Sequence, residues 1–209
     1  MNGIIKWKVE KRVGHLILNN PPTNKMTKGF FEKLKHIVNE EINLDKIKAI
    51  VMYGNGRHFS YGADLNDLVN TINSQTKYDR RGNIKKYPKF LIDNNKTMGF
   101  FRKLKIPVIA AVRGVCIGSA LELALYCNIR LCGQNTVFGF PESTFNLMPG
   151  CGGTQNILKY TSVSKALEIM LQGNTFSAED ALKMKIVDRI FPKKEVIDTA
   201  IKLAKKIRD

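Results

Sequence analysis

A short apolar strand, a glycine turn and a helix follow one another more than once along this chain. The segment from Ile47 to Tyr53 has the pattern of a buried strand and leads into the turn Gly54-Asn-Gly56. A second apolar strand, Val108 to Val112, precedes a glycine-bearing turn at 114–118 and an apolar helix from Ser119 to Tyr126. Helices that alternate with buried strands must pack on the sheet that those strands form. This order therefore predicts a layered α/β fold.

The segments around this pattern indicate further elements of the same fold. Two strand-like runs, Ile4 to Glu10 and Gly14 to Leu18, predict a hairpin. Thr27 and Asp64 each stand where a side-chain oxygen can accept hydrogen bonds from the first turn of a following helix. An amphipathic helix is predicted over residues 193–209.

The size and composition of the chain favour one domain. At 209 residues and 44% hydrophobic content, the chain can bury a core, so we expect a single domain over residues 1–209. No apolar run approaches the length of a membrane span. The N-terminus also lacks the basic-then-apolar order of a secretory signal. We therefore expect a cytoplasmic protein with no membrane partner.

Residues 71–89 form a polar and basic segment between two predicted helices. Such a composition is typical of a connecting loop, and we expect a mobile loop or lid here. Its basic residues are Arg80, Arg81, Lys85 and Lys86. Over the whole chain the formal net charge is +16, which favours a polyanionic partner but also fits lysines on solvated helix faces.

The cysteines and histidines give no sign of a metal site or a histidine-based triad. The four cysteines lie in apolar contexts without a CxxC spacing, so we expect reduced core residues. The three histidines are scattered along the chain. His58 alone adjoins a glycine turn, and a structural role is favoured for it because a catalytic base needs a partner within reach.

Two carboxylates stand beside glycine-bearing turns in the least polar part of the sequence. Glu122 closes the run Gly114-Val-Cys-Ile-Gly-Ser-Ala-Leu-Glu122, and Glu142 ends Val137-Phe-Gly-Phe-Pro-Glu142. An ionised carboxylate out of water costs several kcal/mol unless it is paired or hydrogen-bonded. The two glutamates therefore indicate a functional site, although each taken alone also fits a helix-end carboxylate that points to solvent.

Backbone N–H groups complete this candidate site. The turn at Gly118-Ser119 begins a helix, so the first amides of that helix lack partners within it. The turn at Gly62-Ala63 has the same design. Two such turns that face each other would direct two N–H groups at one oxygen, the geometry that stabilises an oxyanion or enolate. Chemistry at a carbonyl is the leading interpretation, with the paired carboxylates dividing acid and base work.

The order of motifs along the chain resembles the crotonase superfamily, the enoyl-CoA hydratase/isomerase family, over nearly the whole length. The motifs that carry the resemblance are Asn24-Lys-Met-Thr27, Phe59-Ser-Tyr-Gly-Ala-Asp-Leu65, Ile106-Pro-Val-Ile-Ala-Ala-Val-Arg-Gly114, Gly118-Ser-Ala-Leu-Glu-Leu-Ala124, Phe138-Gly-Phe-Pro-Glu142, Pro149-Gly-Cys-Gly-Gly-Thr-Gln155 and Phe176-Ser-Ala-Glu-Asp-Ala181. The order of these motifs is highly specific for the family and much less specific for the reaction.

The resemblance implies a crotonase-like spiral of repeated ββα turns with helices packed outside. Carried over by motif position, the oxyanion-hole amides are those of Ala63 and Ser119. Retention of both Glu122 and Glu142 favours an enoyl-CoA hydratase, a lyase of fatty acid metabolism that adds water in the syn sense to a 2-enoyl thioester. The resemblance also implies a coenzyme A site formed by Lys25, Met26, Tyr61, Asp64, Leu65 and Asn66. No metal or redox cofactor is expected, and coenzyme A enters only as part of the substrate.

In the implied mechanism the two carboxylates hold one water between them. Glu122 accepts the proton of that water as its oxygen adds to the β-carbon, and Glu142 gives a proton to the α-carbon. The resemblance further implies a homo-trimer or a dimer of trimers. This sequence departs from the family pattern at Ser119, Tyr61, Lys25 and Asn128. It also ends where relatives continue into further helices, so a shortened C-terminal helical extension is expected.

Other activities are compatible with the same motifs. One is a dehydratase or decarboxylase that acts on a carrier-protein thioester in polyketide synthesis, with the basic segment 71–89 facing the acidic carrier. Another is an enoyl-CoA isomerase. A third, from a different class, is RNA binding through lysine-bearing helices, but those helices lack the interleaved aromatic side chains that stack on bases. Nucleic acid is therefore not the expected partner.

Overall fold

The computed structural model describes residues 3–86 and 88–207, apart from the side chains of Tyr78, Ile84 and Lys86. The strands are β1 (Ile5–Glu10), β2 (Val13–Leu18), β3 (Ala49–Gly54), β4 (Lys77–Tyr78), β5 (Ile84–Lys86), β6 (Val108–Val112), β7 (Val115–Ile117), β8 (Ile129–Gly133), β9 (Val137–Gly139), β10 (Thr175–Ser177) and β11 (Arg189–Phe191). The helices are α1 (Lys28–His36), α2 (Leu65–Gln75), α3 (Lys89–Lys103), α4 (Ser119–Leu125), α5 (Gly153–Ile157), α6 (Val163–Gln172), α7 (Ala178–Lys183) and α8 (Val196–Lys206).

Short irregular helices complete the described chain. A π turn over Ile37–Glu41 continues α1, and 3₁₀ turns cover Leu44–Lys46 and Pro141–Phe145. Within the described ranges no helix is both long and apolar enough to cross a lipid bilayer.

The main sheet has the strand order β1-β2-β3-β6-β8-β11. Only β1 and β2 pair antiparallel, which confirms the predicted hairpin, and the remaining neighbours pair parallel. A smaller sheet has the order β10-β9-β7, and β4 pairs with β5 in a separate hairpin. The strands β6 and β7 followed by α4 form one of the predicted ββα turns. The α/β architecture predicted from the sequence is confirmed.

Helices cover both faces of the main sheet because side chains alternate along its strands. On one face, α8 buries Val196, Ala200 and Ala204 against apolar residues of β2, β3, β6 and β8. On the other face lie α1, α3 and α4, whose buried side chains include Phe30, Leu34, Met98, Phe101 and Leu121. The second face also carries the candidate site.

Both predicted helix caps are present. The Thr27 side chain accepts a hydrogen bond from the N–H of Phe30, and Asp64 accepts from the N–H groups of Asn66 and Asp67. Each cap satisfies donors that the first turn of a helix leaves without internal partners. The last helix, predicted over 193–209, runs from Val196 to Lys206, and residues 208 and 209 lie outside the described range.

The structure corrects the prediction for residues 114–118. We expected a glycine turn over this whole segment, but Val115–Ile117 is the strand β7 and pairs parallel with β9. Gly114 and Gly118 have φ angles of 70° and 57°, a region that glycine adopts without a steric penalty. Two glycine bends therefore enclose three extended residues.

The structure also corrects the expectation of a loop over residues 71–89. Helix α2 continues through Gln75, the hairpin β4-β5 follows, and α3 begins at Lys89. The Asp79 carboxylate closes this hairpin by accepting hydrogen bonds from the N–H groups of Arg81 and Asn83. Local hydrogen bonds thus give this polar segment regular structure. The side chain of Lys86, one of its predicted basic residues, lies outside the described part.

Candidate active site

The two turns predicted to supply backbone amides are in direct contact. Gly62 has a φ of +80°, and a Cβ atom at this position would lie 2.6 Å from the carbonyl oxygen of Ile117 and 3.3 Å from the backbone nitrogen of Ser119. The close approach therefore requires glycine. It places the residues that follow Gly62 beside the start of α4.

Hydrogen bonds hold the first turn in place. The N–H of Met26 donates to the carbonyl of Gly62 at 2.8 Å, and the N–H of Asp64 donates to the carbonyl of Met26 at 3.1 Å. Ser60 is fully buried, and its hydroxyl accepts from the N–H of Gly62 and donates to the carbonyl of Asn24. The chain around Ala63 is thus fixed on both sides.

The amides of Ala63 and Ser119 remain available to a ligand. In residues 3–86 and 88–207, neither of these two N–H groups donates to an acceptor of the protein. Both residues line one cavity together with Glu122 and Glu142. The structure therefore brings together all four residues that the sequence assigned to the chemistry.

Glu122 is buried and strongly hydrogen-bonded. Its side chain is only 1% exposed, and its Oε1 atom accepts from the N–H groups of Cys151 and Gly153, both at 2.8 Å. Burial raises the pKa of Glu122 to about 7, while these two N–H groups and the Ser119 hydroxyl act in the opposite direction. The ionised form of this carboxylate is thus supported by three donors.

Glu142 lies in the 3₁₀ turn Pro141–Phe145 and has different surroundings. Its Oε2 atom is buried without a hydrogen-bond partner in the described protein. Its Oε1 atom faces Gly118, where an added Cβ atom would lie 3.1 Å away. Burial, followed by the nearby charge of Glu122, raises the pKa of Glu142 to about 8. The protonated form of Glu142 is favoured at neutral pH.

The cavity around the two carboxyl groups is small and largely apolar. Its volume is about 30 Å³, which is on the order of the space for one water molecule. The remaining wall is formed by Phe31, Leu68, Ile72, Phe90, Leu91, Leu147, Met148, Gly150 and Cys151. A bound acyl chain would require part of this apolar wall to move.

The residues predicted to contact coenzyme A lie around the first turn. Lys25 forms an ion pair with Asp64 at 3.3 Å, and Tyr61, Leu65 and Asn66 are exposed. Met26 differs from the others, because its side chain is buried and its backbone N–H and carbonyl are both used in the turn. Met26 therefore shapes this surface without offering a free polar group.

Sequence reasoning missed the donors that hold Glu122. The segment Pro149-Gly-Cys-Gly-Gly-Thr154, which the sequence offered only as a motif of the family, supplies the N–H groups of Cys151 and Gly153. Gly152 has a φ of +101°, and a Cβ atom there would lie 2.1 Å from the Tyr126 hydroxyl oxygen. A glycine-rich turn that opens a helix is a known source of anion-binding amides, and this was the available signal.

His58 and the four cysteines lie outside the candidate chemistry or within its apolar surroundings. The Nδ1 atom of His58 accepts a hydrogen bond from the N–H of Val115 at 3.1 Å, so this ring holds the start of β7. All four cysteines are free and buried, as predicted. Among the described residues, no group of three or more histidine, cysteine, aspartate or glutamate side chains could hold a metal ion.

Comparisons with known proteins identify relatives of this chain. The chain is 32% identical over 197 residues to a Dictyostelium discoideum protein named "Probable enoyl-CoA hydratase, mitochondrial". The matched region covers 94% of this chain and 66% of the relative. The chain is also 32% identical over 199 residues to the 2,3-dehydroadipyl-CoA hydratase of Escherichia coli K12, covering 95% of this chain and 73% of that protein. The chain thus spans about two thirds to three quarters of the length of these relatives.

A solved structure gives the same result for the fold. The crystal structure of an enoyl-CoA hydratase from Bacillus anthracis superposes with a TM-score of 0.84 at 26% identity, over 99% of this chain and 76% of that one. The predicted crotonase-like fold is confirmed. The family model for enoyl-CoA hydratase/isomerase matches residues 8–209. The chain therefore belongs to the enoyl-CoA hydratase/isomerase family.

Proposed function

We propose that this chain is an enoyl-CoA hydratase that adds water across the double bond of a 2-enoyl thioester. One observation carries the proposal: two carboxyl groups of unequal surroundings and two free backbone N–H groups line the same cavity. Hydration needs a base for the water, an acid for the α-carbon and donors for the enolate oxygen. The cavity offers a group for each need.

The backbone amides would act on the thioester oxygen. As the water oxygen bonds to the β-carbon, the electron pair of the double bond moves toward the thioester carbonyl and forms an enolate. The N–H groups of Ala63 and Ser119 would donate to the enolate oxygen. Donors fixed in place before the reaction stabilise such a charge without reorganisation, and each is worth about 3 kcal/mol in comparable sites.

The surroundings of the two carboxyl groups suggest how they divide the proton transfers. Glu122 would take the proton of the attacking water, because its ionised form is supported by the N–H groups of Cys151 and Gly153. Glu142 would give a proton to the α-carbon, because its unpartnered Oε2 atom and the neighbouring charge favour its protonated form. A proton transfer from Glu122 to Glu142 would then restore the starting state. Two carboxyl groups with pKa values near 7 and 8 can act as base and acid near neutral pH.

The test is a hydration assay with crotonyl-CoA that follows the loss of enoyl absorbance. We expect Glu122→Gln and Glu142→Gln each to lower kcat/KM by at least about a hundredfold, since each removes general acid–base help. Glu168→Gln is a matched control, because Glu168 pairs with Lys165 on the surface of α6. The proposal fails if the wild-type protein is inert or if both variants keep the full rate.

Several expectations from the sequence stay predictions beside this proposal. They are the absence of a cofactor, the homo-trimer or dimer of trimers, the cytoplasmic location, the role in fatty acid metabolism, and the coenzyme A contacts of Lys25, Met26, Tyr61, Asp64, Leu65 and Asn66.

A further inference from the structure

A row of lysines follows one face of α3. Lys89, Lys96 and Lys103 are spaced by seven residues, so they lie on the same side of the helix. All three side chains are exposed. The row spans about 21 Å, given a rise of about 1.5 Å per residue over its 14 steps. Any partner that contacts the whole row is therefore longer than a single nucleotide.

Two adjoining grooves run along this row, and we call them together the α3 groove. The first, between α1 and α3, has a volume of about 300 Å³ and is lined by Lys35, Lys96 and Lys103, with Val38 and Phe100 between them. The second, between α3 and the end of α2, has a volume of about 420 Å³ and includes Lys77, Lys89 and Phe90. Asp93 lines both grooves and connects them.

The charge of the α3 groove is largely uncompensated. Among the described residues that line it, the one acidic side chain is Asp93, which pairs with Lys35 at 3.6 Å. In the part of the chain that the structure describes, no carboxylate lies within ion-pair distance of the other lysines of the groove, which are Lys77, Lys89, Lys96 and Lys103. Positive charges arranged in this way favour an acidic partner and accelerate its association.

The α3 groove shares a wall with the candidate active site. Phe90 lines the second groove and also the cavity that contains Glu122 and Glu142. The N–H of Phe90 donates to the Gln75 side chain at 3.2 Å, which ties this wall to the end of α2. A partner that occupies the groove therefore lies next to the cavity in which a thioester would react.

We infer that the α3 groove docks an acidic helix of an acyl carrier protein, which presents the enoyl group as a pantetheine thioester. The inference rests on the proposed function and names a partner for the same site. Lysines on both borders would face the carboxylates of the helix, and Val38 and Phe100 on the floor suit its apolar side chains. The length of the row matches a helix of several turns, whereas the phosphates of one coenzyme A lie within a single nucleotide.

The test compares one enoyl group on two carriers. Initial rates of hydration are measured with a crotonyl-loaded bacterial acyl carrier protein and with crotonyl-CoA, and carrier binding is measured separately by fluorescence anisotropy. The double variant Lys96→Glu/Lys103→Glu should weaken carrier binding and lower kcat/KM for the carrier-bound substrate by about tenfold or more, an effect that salt reduces. The rate with crotonyl-CoA should change less than about twofold.

A matched control keeps the same change in net charge. Lys202 and Lys206 are exposed on α8, which covers the opposite face of the main sheet. The variant Lys202→Glu/Lys206→Glu should leave carrier binding unchanged. If this control weakens carrier binding as much as the α3 variant does, the attraction arises from net charge alone and the docking site is wrong.

Other outcomes separate this inference from the proposed function. An equal loss with crotonyl-CoA would assign the lysines to the phosphates of coenzyme A and overturn carrier docking. Loss of affinity for a labelled oligoribonucleotide without loss of carrier binding would assign the groove to nucleic acid and also overturn it. A wild-type protein that hydrates crotonyl-CoA but does not bind the carrier refutes only the docking. A wild-type protein that binds the carrier at the groove but hydrates neither substrate refutes only the hydratase.

Discussion

The two carboxyl groups of the cavity lie in opposite kinds of surroundings. Glu122 is held by a glycine turn that donates two N–H groups to one of its oxygen atoms. Glu142 stands in a 3₁₀ turn and keeps one buried oxygen atom without a partner in the described protein. Burial raises both pKa values, to about 7 for Glu122 and about 8 for Glu142. Burial is the largest cause of both shifts, and two further causes separate these chemically identical side chains: the N–H donors lower the pKa of Glu122, and the charge of Glu122 raises the pKa of Glu142.

The same difference has a consequence for stability. A protein that buries an unpartnered carboxyl group favours the neutral form, and the unfolded chain ionises more readily. Glu142 therefore contributes to the stability of the folded protein at low pH, and this contribution is lost at high pH, where the carboxyl group ionises. Ionisation of Glu122 should destabilise the folded protein less, because its N–H donors offset part of the cost of burying the charge.

The largest expected effect is on stability in alkaline solution. The pKa of Glu142 is about 8 in the folded protein against an ordinary 4.5, so the stability it contributes is complete below pH 4.5 and is lost as pH rises through 8. Glutamine stays neutral. We expect Glu142→Gln to be as stable as the wild type near pH 5 and more stable at pH 9, by on the order of 3 kcal/mol. Urea unfolding at both pH values measures this difference.

The equivalent change at Glu122 sharpens the comparison. Glu122→Gln retains an oxygen atom for the N–H groups of Cys151 and Gly153, and it removes a charge whose pKa is about 7. Its gain in stability between pH 5 and pH 9 should therefore be smaller than the gain of Glu142→Gln. A larger gain at Glu122, or no gain at either position, would contradict the assignment of the unpartnered carboxyl group.

Much of the fold could be predicted because its signals are local. The caps at Thr27 and Asp64, the first hairpin and the strand Val108–Val112 each depend on a few neighbouring residues. The strand Val115–Ile117 was missed because three residues between two glycines are too few to show a period. The hairpin β4-β5 was missed because a polar sequence closed by the Asp79 carboxylate resembles a loop in composition.

The candidate site divides in the same way. Glu122 and Glu142 could be found because charged side chains in apolar sequence are uncommon. The donors to Glu122 were missed, since they are backbone N–H groups and their one signal in the sequence was the glycine-rich turn that opens a helix. The contact between Tyr126 and Gly152 joins residues far apart in sequence, so no local pattern predicts it. The same reason applies to the apolar wall of the cavity, which several helices and turns build together.

A substitution at Gly153 should displace the side chain of Glu122 without changing its chemical identity. A Cβ atom on Gly153 would lie 2.9 Å from both Cγ and Oε1 of Glu122 and 3.0 Å from the ring of Phe140. Because these neighbours are buried, Gly153→Ala should displace the carboxyl group. A displacement of about 1 Å can cost about a hundredfold in rate, and we expect a loss of that size in kcat/KM for crotonyl-CoA.

A control for this prediction is the same substitution at a glycine with room. Gly29 lies in α1, and its added Cβ atom would make an ordinary contact at 3.4 Å with Ile4. Gly29→Ala should keep the full rate, and circular dichroism should show that both variants are folded. A Gly153→Ala protein with wild-type activity would mean that the position of Glu122 tolerates movement.

The smallest expected effect comes from the support behind the Glu122 turn. The Tyr126 hydroxyl donates to Asn95 at 3.3 Å and packs against Gly152, between the two residues whose N–H groups hold Glu122. Tyr126→Phe removes this contact, so the hydrogen bonds from the turn to Glu122 should weaken. Because these bonds stabilise the ionised form, the pKa of Glu122 should rise above about 7. Because only the ionised form of Glu122 acts as a base, the rate would begin to fall at a higher pH than in the wild type when the pH is lowered. We expect kcat/KM at pH 7 to fall by about threefold to tenfold relative to the wild type, and this loss to disappear only as the pH rises above 8.

Tyr160 provides the matched control for Tyr126. Its hydroxyl contacts Arg102 and the carbonyl of Leu125, and it makes no hydrogen bond to the turn at residues 151–153 in the described structure. Tyr160→Phe should lower stability slightly and leave the pH dependence of hydration unchanged. If both variants shift the pH profile equally, the effect is general loosening. If only Tyr126→Phe shifts the pH profile, the pKa of Glu122 depends on the contact between Tyr126 and the turn at residues 151–153. Tyr126 is then a positioning residue for the base.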